Sequence, residues 1–389
     1  MGSAVLEEHF EYVLVGGGLH NVLIALALLR ERPGARVALV ERADEVGGNH
    51  VFCYHAGDLS TRMSSLVEPM VVRRWDGYDV AFPAFERRLT EPYAAVSSPA
   101  LAKTLRRTFL SHPSCALLTG RSAVHIGGDH VVLDDGAVLR ADVVIEALGP
   151  DSSKPASGDG YQKFLGLDLG LARPPSRDVP LVMDARVRQI DGFRFLYVLP
   201  LSADVVLVED TRFSSSRGID REGLRQEVIR YAAGIGLEIA AVLREEVGVL
   251  PLPTRSWGRA SRGEHGSFVA GYEGGWFHPV SGYSFPIAAR VAEVVASVGP
   301  SGLSAAWIAL ERERARQARF ALLLNRLFFT AFAEADRRNV IERFYRLPAA
   351  TIRRFYALSL THVDRARIVC GRAPAGFSLR LAIAGGPSA

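Results

Sequence analysis

The sequence predicts an α/β fold: a discontinuous Rossmann-like nucleotide-binding domain, an inserted antiparallel-sheet substrate domain and a helical C-terminal region. Three observations lead there. Residues 12–41, YVLVGGGLHNVLIALALLRERPGARVALVE, place a glycine turn between an apolar run and a helical pattern and end on an acid. Residues 181–213 then read as three consecutive β-rich runs, and from about Ser304 the pattern turns helical and basic.

In the first unit, residues 12–15 form a buried strand by their continuous apolar run, 21–30 have helical periodicity, and 36–40 form a second strand. Gly16 and Gly18 occupy the turn. Lacking side chains, they let the backbone bend sharply and let a pyrophosphate approach the N–H groups of Leu19, His20 and Asn21 at the helix N-terminus, where the helix dipole favours negative charge. Glu41 falls 20 residues after Asn21, suited to a ribose 2′-hydroxyl, and its carboxylate repels a 2′-phosphate. The ligand is therefore FAD or NAD and not NADP. Asn21 stands where a third glycine is usual; a tight turn without ligand is the plainer alternative, outweighed by the whole strand–turn–helix–strand–acid context.

Two further segments belong to the same domain. Residues 131–139, VVLDDGAVL, read as a hairpin around Asp135-Gly136, followed by a buried strand in 141–150, ADVVIEALGP, that runs into a turn at Gly149. Residues 267–295 go strand, glycine-rich loop, helix. In the sheet block the runs are 181–188, 193–201 and 204–213, joined at Asp191-Gly192 and Ser202-Ala203, and the Ser/Gly-rich residues 151–160 read as a connector.

Composition sets limits. The 389 residues, 48% hydrophobic and 23% charged, describe an ordinary folded protein of two or three domains. A net charge of +4 without a basic, aromatic-interleaved stripe gives no reason to expect nucleic acid. Cys53, Cys115 and Cys370 are far apart, so they are expected as reduced, buried thiols in a cytoplasmic setting with no metal site. No signal peptide or spanning helix is expected: the apolar stretch 12–29 contains the glycine turn, and 320–332 is interrupted by Asn325 and Arg326.

Seven segments in order give the chain a resemblance to a known family: VGGGLHNVLIAL (15–26), GGNHVFCYH (47–55), FRFLYVLPLSADVVLVEDTRFS (193–214), LPLP (250–253), GGWFHPVSGYSFPIA (274–288), LNRLFF (324–329) and RFYRLP (343–348). With them it resembles the bacterial lycopene β-cyclases, flavoproteins of carotenoid biosynthesis. The resemblance implies an FAD-binding domain over 1–60, 115–155 and 262–303, a substrate sheet over 61–114 and 156–261, and a helical region over 304–389. It implies cyclisation of the ends of lycopene to β-ionone rings, an isomerisation needing reduced FAD without net redox, with NAD(P)H the expected reductant. Arg42 beside Glu41, the loop Gly48, Asn49 and His50, Gly149, and Gly282-Tyr283 are then flavin contacts, although Asn49 also suits a loop held by its own side-chain hydrogen bonds. Gly271-Tyr272 stands where such folds carry Gly-Asp. An FAD-dependent hydroxylase or a geranylgeranyl-type reductase of the same fold is the alternative, and a flavin-free prenyl-lipid escort protein a further one.

Cyclising a polyene end requires an acid that is protonated at neutral pH, a dry pocket, and negative or π-electron density near the cation. An apolar site keeps a carboxyl neutral. The family's Glu-Asp-Thr motif matches Glu209, Asp210 and Thr211. Strand alternation puts Val205, Leu207, Glu209 and Thr211 on one face and Val206, Val208 and Asp210 on the other. Glu209 is accordingly assigned as the acid, and Asp210 is expected to orient the strand or pair with Arg212 or Arg194. His278, among Trp276, Phe277 and Tyr283, is a candidate to shuttle a proton or contact the flavin, or a structural histidine. Because lycopene lives in the bilayer, the chain is expected at the inner membrane as a peripheral protein. Leu327, Phe328, Phe329 and Phe332, with Arg337, Arg338, Arg343, Arg353 and Arg354, read either as an interfacial helix or as an aromatic stripe packed on the core.

Overall fold

The computed structural model describes residues 7–149, 160–255, 262–371, 373–378 and 380. The connector read over 151–160 and the end of the 141–150 segment fall outside them, apart from Gly160 and residues 141–149. Strand β1 (Glu7–Val15), helix α1 (Leu19–Glu31) and strand β2 (Val37–Glu41) form the first unit. There follow β3 (Val51–His55), α2 (Thr61–Val67), β4 (Val71–Trp75), β5 (Tyr78–Phe82), β6 (Phe85–Leu89), β7 (Tyr93–Ser97), α3 (Ser98–Leu110), β8 (Ala116–Thr119), β9 (Ala123–Ile126), β10 (His130–Leu133) and β11 (Val138–Glu146). Next come β12 (Tyr161–Leu171), β13 (Leu181–Asp184), β14 (Phe193–Pro200), β15 (Val205–Ser214), α4 (Arg221–Gly234), β16 (Ile239–Pro251) and β17 (Phe268–Val269). Helices α5 (Phe285–Thr330), α6 (Arg337–Tyr345), α7 (Ala349–Tyr356) and α8 (His362–Val369) close the chain.

The first sheet has the order β8-β2-β1-β11-β10-β9, with β17 beside β11; β8, β2, β1, β11 and β17 run parallel. Its central strands read as unbroken apolar runs because both faces are covered. Tyr12, Leu14 and Leu39 face α1 and α5, while Val13, Val15 and Val40 pack in a separate cluster on the other side. The hairpin at Asp135-Gly136 and the buried strand after it are one continuous β11, with Gly136 at φ +84° in the turn. Helices α2 and α3 bring Met63, Val67, Leu101, Leu105 and Phe109 to the same core, so segment 61–114 contributes to both layers of the molecule.

The second sheet has the order β16-β12-β15-β14-β13-β5-β6, antiparallel except where β13 meets β5. Strand β13 stops at Asp184, short of the run to 188, because the Asp184 carboxylate takes the backbone N–H and guanidinium of Arg186 and turns the chain away. Strands β12 and β16 did not stand out in the sequence. Gly166, Asp168 and Gly170 lower the β-propensity of one although Leu165, Leu167, Leu169 and Leu171 alternate with them, and the Arg244-Glu245-Glu246 run masks the other. A small β3-β7-β4 sheet lies beside these.

Helix α5 breaks at Gly299 (φ +64°), just before Pro300, which marks the change from the nucleotide domain to the basic helical tail. By length and composition α5 could cross a membrane, yet Val291, Ala292, Val295 and Ala296 are buried against the α1 layer. The interfacial reading of the tail does not hold for its aromatics. Phe328, Phe329 and Phe332 are about 5% exposed or less. Phe328 and Phe329 lie in the core cluster of Phe193 and Phe213, with the buried Arg337 guanidinium over both rings. Cys53 and Cys115 are half-buried, and Cys370, expected to be buried, is exposed.

Candidate functional site

One cavity of about 1000 Å³ runs from the glycine turn to the inner face of the second sheet. At its first end lie Gly16, Gly18, Leu19, His20, Glu41, Arg42 and Gly149. Gly16 has φ +95°, and a Cβ there would meet the Ala147 carbonyl oxygen at 2.7 Å, so only glycine fits. Gly18 begins α1 with no side-chain cap and nothing within 4 Å of a Cβ position, which leaves the first-turn N–H groups open to an anion. The Glu41 carboxylate accepts the Gly17 N–H at 2.6 Å and the Ala43 N–H at 2.8 Å, fixing it at the cavity wall with lone pairs to spare. His20 donates to the Trp276 carbonyl at 3.1 Å, and burial pushes its pKa down to about 4, so the ring is neutral.

Asn21 does not face this cavity. It is fully buried, and its amide donates to the carbonyls of Val15 and Gly16, both at 2.9 Å. Its side chain staples the glycine turn, and the contact expected of it is the one through its backbone N–H in the first turn of α1.

Gly48 (φ +67°), His50, Gly282 (φ +66°) and Tyr283 line the middle of the cavity. Asn49 turns outward: it donates to the Glu245 carbonyl at 2.8 Å and accepts from Arg244, so it ties the loop to β16 and makes no cavity contact. Tyr283 donates to Asp58 at 2.7 Å. His278 is 0% exposed; its Nδ1 accepts the Val280 N–H at 3.2 Å and its ring lies 4.5 Å from that of Phe355. Burial pushes its pKa down to about 3. It does not reach the cavity, so of its three readings only the structural one fits the geometry. Tyr272, at the Gly-Asp position, stacks on Phe277 at 3.9 Å and lines the wall.

The far end is the inner face of the second sheet. Leu207 and Glu209 of β15, Tyr197 and Leu199 of β14, Gln162 and Phe164 of β12, and Glu246 and Leu250 of β16 point into it. On the outer face Val206 and Val208 pack with Leu165, Leu167 and, from α4, Leu224 and Val228. Asp210 lies on that outer side, 0% exposed, accepting from Arg194 at 2.7, 3.0 and 3.1 Å and from Arg212 at 3.3 Å. The strand thus divides its two acids between a cavity and an ion pair.

Glu209 is half-buried, with the Thr211 hydroxyl donating to it at 2.5 Å. Its pKa is raised well above the carboxylate range, first by desolvation and then by the neighbouring Glu246. Around it stand Tyr78, Tyr93, Tyr197, Tyr345 and Tyr356, with Cys53, whose thiol burial pushes up to about 12. Glu246 went unnoticed in the sequence. The signal was there: counting back by two from Leu250 of the LPLP motif puts residues 248 and 246 on the same face.

The family model for lycopene cyclase proteins matches residues 11–381. The chain is 36% identical over 372 residues to a lycopene beta-cyclase of Pantoea ananas, covering 95% of this chain and 96% of that one. It is 38% identical over 373 residues to one of Pseudescherichia vulneris, covering 94% of each. Among solved structures it is similar to a geranylgeranyl bacteriochlorophyll reductase-like protein of Thermoplasma acidophilum (TM-score 0.61, 13% identity, 97% of this chain and 96% of that one). It is also similar to a probable FAD-dependent monooxygenase of Pseudomonas aeruginosa (TM-score 0.60, 16% identity, 82% and 96%). At those identities the solved structures speak for the fold alone.

Proposed function

The chain belongs to the lycopene cyclase family, and from that premise we propose that it is a lycopene β-cyclase, closing β-ionone rings at the ends of lycopene by acid catalysis with reduced FAD bound and no net redox. The full-length relatives are cyclases, whereas the reductase and monooxygenase match in fold only, so those alternatives are not favoured. The observation that carries the reading is Glu209: a carboxyl kept neutral inside an aromatic cavity continuous with a nucleotide turn.

In this reading Glu209 delivers a proton to the terminal double bond. The next double bond closes the ring on the resulting cation, and loss of a ring proton leaves an isomer of the substrate. The tyrosine faces around the site each offer a cation about 0.5–2 kcal/mol. The residues present fit a dinucleotide: the Gly16–Gly18 turn for the pyrophosphate, Glu41 for the ribose, and Gly48, His50 and Gly282, which leave room for a flat ring. When bound, a reduced and anionic flavin supplies a full negative charge that, at low dielectric, exceeds any aromatic face. NAD(P)H is the reductant we expect.

We also propose that the protein meets its substrate as a peripheral protein at the inner membrane. The support is the insolubility of a carotenoid and the half-exposed arginines of the C-terminal helices, Arg338, Arg343, Arg353 and Arg354, attracted to anionic lipid; the buried aromatics and the buried Arg337 are no part of it.

The test is lycopene in liposomes with reduced FAD under anaerobic conditions, with carotenoid products separated by chromatography. Cyclic product is expected without stoichiometric flavin oxidation, and Glu209→Gln should lower the rate at least about 100-fold while keeping its flavin. One flavin oxidised per ring, or near wild-type turnover by Glu209→Gln, would overturn the proposal.

A further inference from the structure

We propose that Glu246 is the positioning partner of Glu209: the two carboxyls straddle Gly166 and hold one proton between them, with Arg244 keeping the negative charge on Glu246 and the proton on Glu209. The inference rests on the cyclase reading of the cavity.

The geometry begins in the strand register. On β12, Gly166 stands opposite Glu209 of β15 on one side and Glu246 of β16 on the other. A Cβ at Gly166 would lie 3.1 Å from Glu246 Cγ and 3.4 Å from Glu209 Cβ, so the missing side chain is what lets the two acids meet over the strand. Glu246 acts on the Glu209 carboxyl both as a neighbouring charge and as a hydrogen-bond partner.

The surroundings of the two differ. Glu246, 5% exposed, accepts from Arg244 Nη1 at 2.6 Å and from the Val51 N–H at 3.2 Å through the same Oε2. Arg244 is itself held by Asp168 through two bonds, at 2.6 and 2.9 Å. Among the described residues, Glu209 has the Thr211 hydroxyl and the Glu246 carboxyl as hydrogen-bond partners and no cation bonded to it. The other titratable groups facing the pair are uncharged near neutrality: Tyr197, Tyr93 and Cys53 are pushed up by burial and His50 is pushed down. Asp210, on the opposite face, is neutralised by Arg194 and Arg212. One cation, Arg244, is thus shared between Asp168 and Glu246, while the carboxyl adjacent to Glu209 is that of Glu246, and two adjacent carboxylates do not both ionise readily.

The proton balance follows. Glu209 O–H breaks as the new C–H bond forms at the terminal double bond. That leaves two ionised carboxylates side by side, a strong base, which takes up the proton released from the ring. The pair begins and ends the reaction with one proton, as an isomerisation demands.

The test uses the flavin-loaded protein and the pH profile of kcat/KM on lycopene. In Glu246→Gln the alkaline limb should move to lower pH by about 1–3 units, and Glu246→Asp should bring it back toward wild type. A uniform fall in activity at every pH with the limb unmoved would mean a merely structural role and overturn the proposal. Infrared titration supplies a reading independent of turnover: a protonated-carboxyl band persisting above pH 7 in the wild type, absent in Glu209→Gln, and titrating lower in Glu246→Gln. No such band at pH 7 in the wild type would overturn the pair. Should Glu246→Gln fail to fold, Arg244→Gln takes its place: without the cation on Glu246 the band should titrate higher than in the wild type, and a band unmoved would overturn the pair. A wild type with the band but without cyclisation would instead refute the cyclase reading and leave the proton-sharing pair standing.

Discussion

Replacing Asp210 by Asn should cost stability and spare chemistry, the reverse of what the same change does one residue earlier. Asp210 is fully buried and takes five hydrogen bonds of 3.3 Å or less from Arg194 and Arg212. The Arg194 side chain is 3% exposed and retains Glu227 at 2.9 Å, which is itself 27% exposed. Removing one partner of a buried ion pair costs about 3–5 kcal/mol, and because Asn keeps one acceptor oxygen and Glu227 remains, about 3 kcal/mol is expected. For a chain of this size that is a fall in Tm of about 4 °C. Turnover per folded molecule should stay within about threefold, since Asp210 faces α4 and not the cavity. Glu209→Gln should show the opposite pattern. Its carboxyl has a folded pKa above the unfolded one, so its contribution to stability is complete below the ordinary carboxylate range and is lost as pH rises toward the folded value. A neutral Gln removes that loss, so the variant should equal or exceed the wild type in stability at pH 7 and gain on it as pH rises. Differential scanning fluorimetry across pH, with turnover on the same preparations, measures both. If Asp210→Asn kept its Tm and lost activity a hundredfold, the division of the two faces of β15 would be wrong.

Changing Phe328 or Phe329 to Ser should destabilise the protein by about 3–5 kcal/mol, seen as early unfolding in denaturant, because both rings are core; a well-folded variant that merely stops co-sedimenting with liposomes would put them at the membrane instead. Asn21→Ala removes the donors to the Val15 and Gly16 carbonyls, each worth about 1–3 kcal/mol when left unsatisfied, and should weaken flavin retention through the loosened turn; unchanged retention in an equally stable protein would show the staple to be idle.

How much of this was legible in the sequence depended on whether a residue's role was local or was set by a distant strand. The glycine turn, its acid and the alternation of β15 are properties of short segments, and they could be read directly because each uses the backbone period of its own element. Asn49 was assigned to the ligand because it sits inside a motif that lines the cavity, and the side chain of Asn21 was given no role; which way an amide turns depends on carbonyls at residues 15, 16 and 245, which periodicity does not report. The tail aromatics were ambiguous for a related reason: a stripe of Phe beside arginines suits lipid and core alike, and Arg337, lying over Phe328 and Phe329, shows how a buried cation satisfies the same pattern. Glu246 was the hardest. Its strand is charged and half-exposed, and it gains meaning only because β12 runs between β15 and β16 and carries a glycine at the crossing point. Here the glycine is the informative residue. In the middle of a long strand it weakens the sheet, and the compensation is space for two acids to approach where any side chain would hold them apart.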